Sequence, residues 1–198
     1  MKRIVHLFAG VALLSACSGD QAPTATTAQV QSQVASTMQE SSETTRDRDF
    51  GLRKDLETIR RVTAPFHDFH VASAAGWSTE ITNCLLDTGS VGGMGFHYGK
   101  TALIDGTVHV DKPQLLLYEP EKNGRLRLMA VEYIIPYSFH SRDAAPPVLM
   151  GQRFMQFDAF QVWGLHAWIW KDNPSGLFAP WNPRVTCRYA SDVSSMAH

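Results

Sequence analysis

His97 and His166 both stand in strand-like apolar surroundings, the first within Gly92-Gly93-Met94-Gly95-Phe96-His97-Tyr98, the second alternating with Trp168 and Trp170 in Leu165-His166-Ala167-Trp168-Ile169-Trp170. Two carboxylates share that setting. Successive side chains of a strand point to opposite faces, so Glu132 falls in phase with Leu126, Leu128, Ala130 and Ile134, and Glu119 with Leu115 and Leu117. A carboxylate turned toward an apolar interior needs a cation, a shared proton or several donors. Imidazoles and carboxylates on separate strands form a mixed donor set that Zn, Mn, Fe and Cu accept. His97, Glu119, Glu132 and His166 are therefore candidate ligands of one divalent metal. Taken singly, each also reads as an ordinary core residue, a histidine hydrogen-bonded within its strand or a glutamate meeting an arginine such as Arg153. No spacing as specific as HExxH is present, and His67, His70 and His140 read as surface or helix-packing residues.

A second chemistry is suggested by Leu85-Leu86-Asp87-Thr88-Gly89-Ser90, which resembles the catalytic turn of aspartic proteases, and by Val148-Leu149-Met150-Gly151, which resembles the hydrophobic-hydrophobic-Gly element of the retroviral type. That resemblance implies two chains pairing their Asp87 side chains around one water, sharing a proton. The same Asp-Thr-Gly is also ordinary turn chemistry. A third, non-catalytic reading places small-molecule or partner binding on the aromatic stretch Trp163, Trp168, Trp170, Phe178 and Trp181, where Asn173-Pro174-Ser175-Gly176 and Trp181-Asn182-Pro183 mark loops. A Ser-His-Asp elbow, a P-loop and a dinucleotide fingerprint are absent. The net charge of −1, with no Lys/Arg cluster beyond Arg60-Arg61, argues against a nucleic-acid partner.

The elements that must position these groups follow from punctuation and periodicity. Leu52, Leu56, Ile59 and Val62 keep helical spacing, and Thr63 before Pro65 predicts a second helix to about Ala75, ended by Gly76. Beyond it, short apolar runs are separated by Gly99, Asp105-Gly106, Asn123-Gly124, Pro136, Pro146-Pro147 and Asn173-Pro174, a strand-like rhythm. Asn123-Gly124 predicts a hairpin between Leu115–Glu119 and Leu126–Ile135, its loop lengthened by Pro120. The expected fold is α+β, with N-terminal helices packed on a small antiparallel β-barrel or sandwich.

The N-terminus carries an address. Lys2 and Arg3, the apolar run Ile4 to Leu14 and the small residues Ser15 and Ala16 have the order of a secretory signal peptide, too short for a spanning helix of about 20 residues. With Cys17 next, the segment resembles the lipobox of bacterial lipoproteins. The resemblance implies cleavage after residue 16, diacylation or triacylation of Cys17, and stable anchoring. With Ser18 rather than Asp next, it also implies an outer-membrane destination facing the periplasm in a Gram-negative cell. Residues 17–49, rich in Ser, Thr and Gln, read as a flexible tether, and residues 50–198 as one globular domain. With Cys17 assigned to lipid, Cys84 and Cys187 remain as a pair in an oxidising compartment. A disulfide between them is the simplest account, closing a loop of about a hundred residues for a stabilisation on the order of 4 kcal/mol. A reactive or metal-binding cysteine is the competing reading, though neither lies in a CxxC.

The series GGMGFHY (92–98), LLLYEP (115–120), LRLMAVEYIIP (126–136), LHAWIWKDNPSGLFAPWNP (165–183) and the closing Cys187 resembles a group of exported bacterial proteins. Its polar positions match His97, Glu119, Glu132 and His166, which implies a site but neither a metal nor a reaction. The cupin HxH pair is absent, so a cupin-like barrel is analogy only. The expectation is thus an envelope lipoprotein whose small β-barrel holds a polar, metal-binding site.

Overall fold

Leu52, Leu56 and Ile59 lie on one side of helix α1 (Thr27–Thr63), and Ile59 is fully buried. The computed structural model describes residues 27–196, with side chains over 29–194. Two units are distinguished, Met1–Glu43 and Thr44–His198. The signal segment and Cys17 lie outside the described residues. From Thr27 onward, however, the stretch expected to be a tether is helical. Its low apolar content forbids a buried face but not a helix, because Ala, Gln, Glu, Met and Arg are good helix formers. Extension of a helix already formed at 50–63 also requires no new nucleus. Among the described residues no helix is long and apolar enough to cross a membrane.

The single second helix expected from Thr63 to Ala75 is two short pieces. Thr63 still belongs to α1, its hydroxyl donating to the Ile59 carbonyl at 2.7 Å. Pro65 starts a 3-10 turn over Ala64–His67. Asp68 then caps α2 (Phe69–Ala74), accepting from the His70 amide at 2.9 Å.

The strands are β1 (Thr79–Asp87), β2 (Gly93–Gly99), β3 (Leu115–Pro120), β4 (Leu126–Pro136), β5 (Val148–Leu149), β6 (Gln152–Arg153), β7 (Met155–Phe157), β8 (Val162–Ala167) and β9 (Val193–Met196). Seven form one sheet in the order β7-β8-β4-β3-β2-β1-β9, while β5 and β6 make a separate hairpin. The predicted hairpin joins β3 to β4, with Gly124 at φ +78° in its turn. The sheet is mixed rather than wholly antiparallel, because β9 pairs in parallel with β1 from Cys84↔Val193 to Asp87↔Met196. The Cys84–Cys187 disulfide, with Cα atoms 5.8 Å apart, holds the C-terminal segment at the outer edge of β1, whose backbone groups are there to be paired.

Both faces of β3 and β4 are buried, which explains their nearly unbroken apolar sequence. On the outer face Leu116, Tyr118, Val131 and Tyr133 pack against Ile59, Ala72 and Trp77 from the helical segment and its exit. Tyr118 fixes that layer by donating its hydroxyl to the Phe66 carbonyl at 2.7 Å. On the inner face lie Leu115, Leu117, Met129, Ala130 and Ile134. The sheet curls into a half-barrel, so that Leu85 and Met94 of β1 and β2 meet Phe157 of β7, at the other side of the sheet. The fold is α+β and barrel-like. One correction concerns β4: its pairing with β3 skips from Ala130 to Leu128, so Met129 is an extra residue and Leu128 faces the helices. The single face expected from Leu126 to Ile134 is broken there.

Substituting both cysteines of the disulfide with serine is expected to lower unfolding stability by about 4 kcal/mol, since the bridge encloses 103 residues of sequence separation. Urea unfolding of parent and variant measures it; equal midpoints would mean the bridge only decorates a closure that other contacts secure.

Candidate metal centre

Three of the four predicted ligands converge on the inner face of the half-barrel. Glu132 on β4 is directly opposite His166 on β8, and Leu115 on β3 is opposite Glu132 on its other side. His97 on β2 pairs with Leu117, two strands from β4. Across flat sheet that separation is near 10 Å. The curl turns both side chains inward and closes it, leaving His97 Nε2 3.6 Å from Glu132 Oε2 and His166 Nε2 3.8 Å from Glu132 Oε1. One ligand atom from each residue lies within 4.8 Å of the others.

Neighbouring groups fix each ring. Thr82 on β1 pairs with His97, and its hydroxyl is 2.8 Å from Nδ1. With Nδ1–H donated to Thr82, the Nε2 lone pair faces Glu132. Trp168 stacks on His166 at 6.0 Å between centroids, and Phe157 meets it edge-on at 5.7 Å. Gly164 makes the room: a Cβ there would stand 2.7 Å from Glu132 Oε1 and from Phe157. Thr82, Phe157 and Gly164 are missing from the predicted site. Of these only Gly164 carried a sequence signal, as a glycine inside an apolar strand, which marks close approach.

Burial sets the electrostatics. The side chains of His97, Glu132 and His166 are 4 %, 7 % and 2 % exposed. Burial raises Glu132 to about 8. It lowers His97 to about 4, against a smaller opposing contribution from the Gly95 backbone, and it takes His166 well below the ordinary imidazole value, with His97 adding to the effect. At neutral pH the trio is therefore uncharged rather than ion-paired, and its separations exceed hydrogen-bond length. Among the described residues His166 Nε2 has no hydrogen-bond partner. A metal with bonds of about 2.1 Å in tetrahedral geometry keeps its donors ~3.4 Å apart, a few tenths of an ångström less than the two N–O separations seen. Two imidazoles and one carboxylate that can hold a metal are thus assembled.

Glu119 is elsewhere. It shares the inner face but lies four residues along β3 from Leu115, opposite Arg127 rather than Glu132, a run of about 13 Å. There its carboxylate binds Arg127, Lys171 Nζ at 2.7 Å and the Thr186 amide at 3.0 Å. Burial works to raise its pKa, but these three partners together bring it below the ordinary value. Asp87 closes a turn, its Oδ2 accepting from the Val91 amide at 2.8 Å and its own N–H donating to the Gly92 carbonyl at 2.9 Å. Val148-Leu149 belongs to the separate β5–β6 hairpin, with Met150 and Gly151 at φ +54° and +69° in its turn. The aromatic stretch, the alternative place for binding, is mostly core. Trp163, Trp168 and Trp181 are buried, and the Trp163, Trp168 and Trp170 indoles donate to His140, Ala179 and Thr63 respectively. His140 donates its Nε2–H to the Ala145 carbonyl at 2.8 Å, and His67 packs edge-on against Trp170 at 4.4 Å.

Fold and site together define an α+β half-barrel with a buried His/Glu/His group able to hold a metal. Compared with protein-family models, with curated proteins and with solved structures, the chain has no match.

Because Glu132 titrates near 8 in the fold against an ordinary 4.5, folding favours its protonated form. Its ionisation therefore weakens the fold progressively as pH rises between those values and has no effect below them. Glu132→Gln in chelated protein is expected to gain on the parent by about 1.4 kcal/mol per pH unit across that interval. Denaturant unfolding at pH 5 and pH 8 checks this; a difference independent of pH would contradict it.

Proposed function

We propose that this chain is an exported, lipid-anchored envelope protein whose half-barrel binds one divalent metal through His97, Glu132 and His166. One observation carries the metal: three buried donor groups converge without bonding one another, and His166 Nε2 has no partner among the described residues. Natural cores pair their buried polar atoms, and a group left unpaired stands at a cost of about 1–3 kcal/mol unless something else engages it. A cation would satisfy all three at once.

The donor chemistry narrows the ion. Two imidazoles and one carboxylate suit Zn, Mn, Fe or Cu, and the same set serves both catalytic zinc sites and non-haem iron sites. Hard all-oxygen ions such as Ca and Mg are disfavoured by the imidazoles. Glu119, held by two cations, is not a ligand in this reading. When bound, the metal would supply Lewis acidity or redox chemistry at a protected position. The chain's own residues hold the donors in place: Thr82 orients His97, Trp168 and Phe157 hold the His166 ring, and Gly164 keeps space beside Glu132.

Export and anchoring rest on two separate features. One is the order Lys2-Arg3, Ile4–Leu14, Ser15-Ala16, Cys17, and the other is the Cys84–Cys187 disulfide, a bond that persists in oxidising compartments. Anchoring at Cys17 makes the membrane a partner, facing the periplasm if the cell is Gram-negative.

Elemental analysis of the full chain purified without chelator is expected to find close to one metal per chain, none in folded Glu132→Gln/His166→Ala, and unchanged content in Glu119→Gln. Thr82→Val is expected to weaken metal affinity about 10- to 100-fold by freeing the His97 ring. Parent protein that is metal-free and cannot be loaded with Zn, Mn, Fe or Cu would contradict the reading. Cys17→Ala is expected to move the protein from the membrane to the soluble fraction; retention on the membrane would contradict anchoring there.

A further inference from the structure

In front of His97 and Glu132 the curled sheet encloses a cavity of about 140 Å³. Its walls come from strands at both sides of the half-barrel, Leu85 and Met94 from β1 and β2, Ile134 from β4 and Phe157 from β7. Ile81 and Phe160, 39 % and 40 % exposed, stand at its mouth. Apart from His97 and Glu132, the only polar side chain lining it among the described residues is Thr82, whose hydroxyl is already engaged with His97. His166 lies behind, outside the lining. A cavity of this size in an apolar core holds a benzene-sized molecule, and an apolar pocket with a few convergent polar groups is the ordinary form of a small-molecule site.

The lining constrains what fits. Among the described residues no lysine or arginine lines the cavity, so a carboxylate or phosphate would enter beside Glu132 with no cationic side chain to balance it. A sugar would leave most of its hydroxyls against leucine, methionine and phenylalanine. A hydroxyl group, by contrast, both donates and accepts, and the two polar groups lining the cavity, the His97 imidazole and the Glu132 carboxyl, can meet it in either role.

We propose that this cavity is the ligand site of the domain, and that it takes a small uncharged molecule with a benzene-sized apolar body and one hydroxyl, the body among Leu85, Met94 and Phe157 and the hydroxyl at His97 and Glu132. The inference builds on the reading of the trio as the functional site and names the ligand class that this site admits. The hydroxyl contacts are those of the metal-free protein, because a bound metal would take the same His97 Nε2 and Glu132 oxygen, and this lets the two claims fail separately.

Phenol is the probe, titrated into the full chain both chelated and loaded with Zn, and followed by tryptophan fluorescence and calorimetry. With seven heavy atoms, its expected Kd is on the order of 0.1–1 mM. Benzene is expected to bind about tenfold more weakly for want of one hydrogen bond, benzoate at least tenfold more weakly in the chelated protein, and glucose not at all. Ile81→Trp, which adds bulk at the partly exposed mouth, and Leu85→Phe, which fills the cavity from within, are each expected to weaken phenol at least tenfold in protein shown to be folded by circular dichroism. Phenol binding to the chelated protein that both variants abolish supports the cavity even where no metal is taken up. Metal uptake with no phenol binding in either form overturns it. So does equal affinity for phenol and benzene, tighter binding of benzoate than of phenol to chelated protein, or full phenol affinity in both folded variants.

Discussion

Glu132 is a carboxyl group with 5 % of its surface exposed, surrounded by apolar side chains and two imidazoles. Burial deprives its charge of solvation, and among the described residues no lysine or arginine meets it, so the fold favours it as a neutral acid. The imidazoles beside it are held neutral by the same burial. Three groups that would each be easier to bury as leucine are thus placed together at a cost to stability, and that arrangement makes sense where something outside the chain's own side chains uses them. Glu119, on the neighbouring strand β3, shows the contrast. It is equally buried, but two cations and a backbone amide surround it, and it behaves as a structural ion pair.

Everything around the trio serves to bring three strands' side chains to one point. Because the outer face of β3 and β4 is covered by the helical segment and its exit, the inner face is free to curl. The curl carries β1 and β2 toward β7 and β8, converting a separation of two strands into contact distance between His97 and Glu132. The disulfide holds the far edge, and the extra residue Met129 lets β4 supply Ala130 and Glu132 to the inner face while Leu128 closes the helical layer. Gly164 and Thr82 then make fine adjustments, one by leaving room and the other by orienting a ring.

Much of this was legible in the residues themselves. The α+β class, the hairpin at Asn123-Gly124 and the shared faces of Glu132 and His166 follow from period-2 alternation and turn chemistry, which act over a few residues, while the pairing of Cys84 with Cys187 follows from their being the two cysteines left once Cys17 is given to lipid. What escaped depends on longer range. Alternation says which face Glu119 occupies but not which residue of β4 stands opposite, and the register places it on Arg127. The parallel strand β9 needs the disulfide as a tether before its four residues have an edge to pair with. Polar composition marked 17–49 as unable to form a core, but a helix extending from a folded neighbour needs no core. The Asn-Pro turns beside the tryptophans left a loop platform open as an alternative, whereas the loop after Asn173-Pro174 folds back, giving the Ala179 carbonyl to the Trp168 indole and the Leu177 carbonyl to the Trp168 amide.

In the function we propose, the metal is held by these three residues and by no others. X-ray diffraction from crystals loaded with one equivalent of Zn, recorded on both sides of the metal absorption edge, locates the ion directly. The expected result is a single anomalous peak about 2.1 Å from His97 Nε2, His166 Nε2 and a Glu132 carboxylate oxygen. A peak at His67, His70 or Glu119, with the trio unliganded, would contradict it.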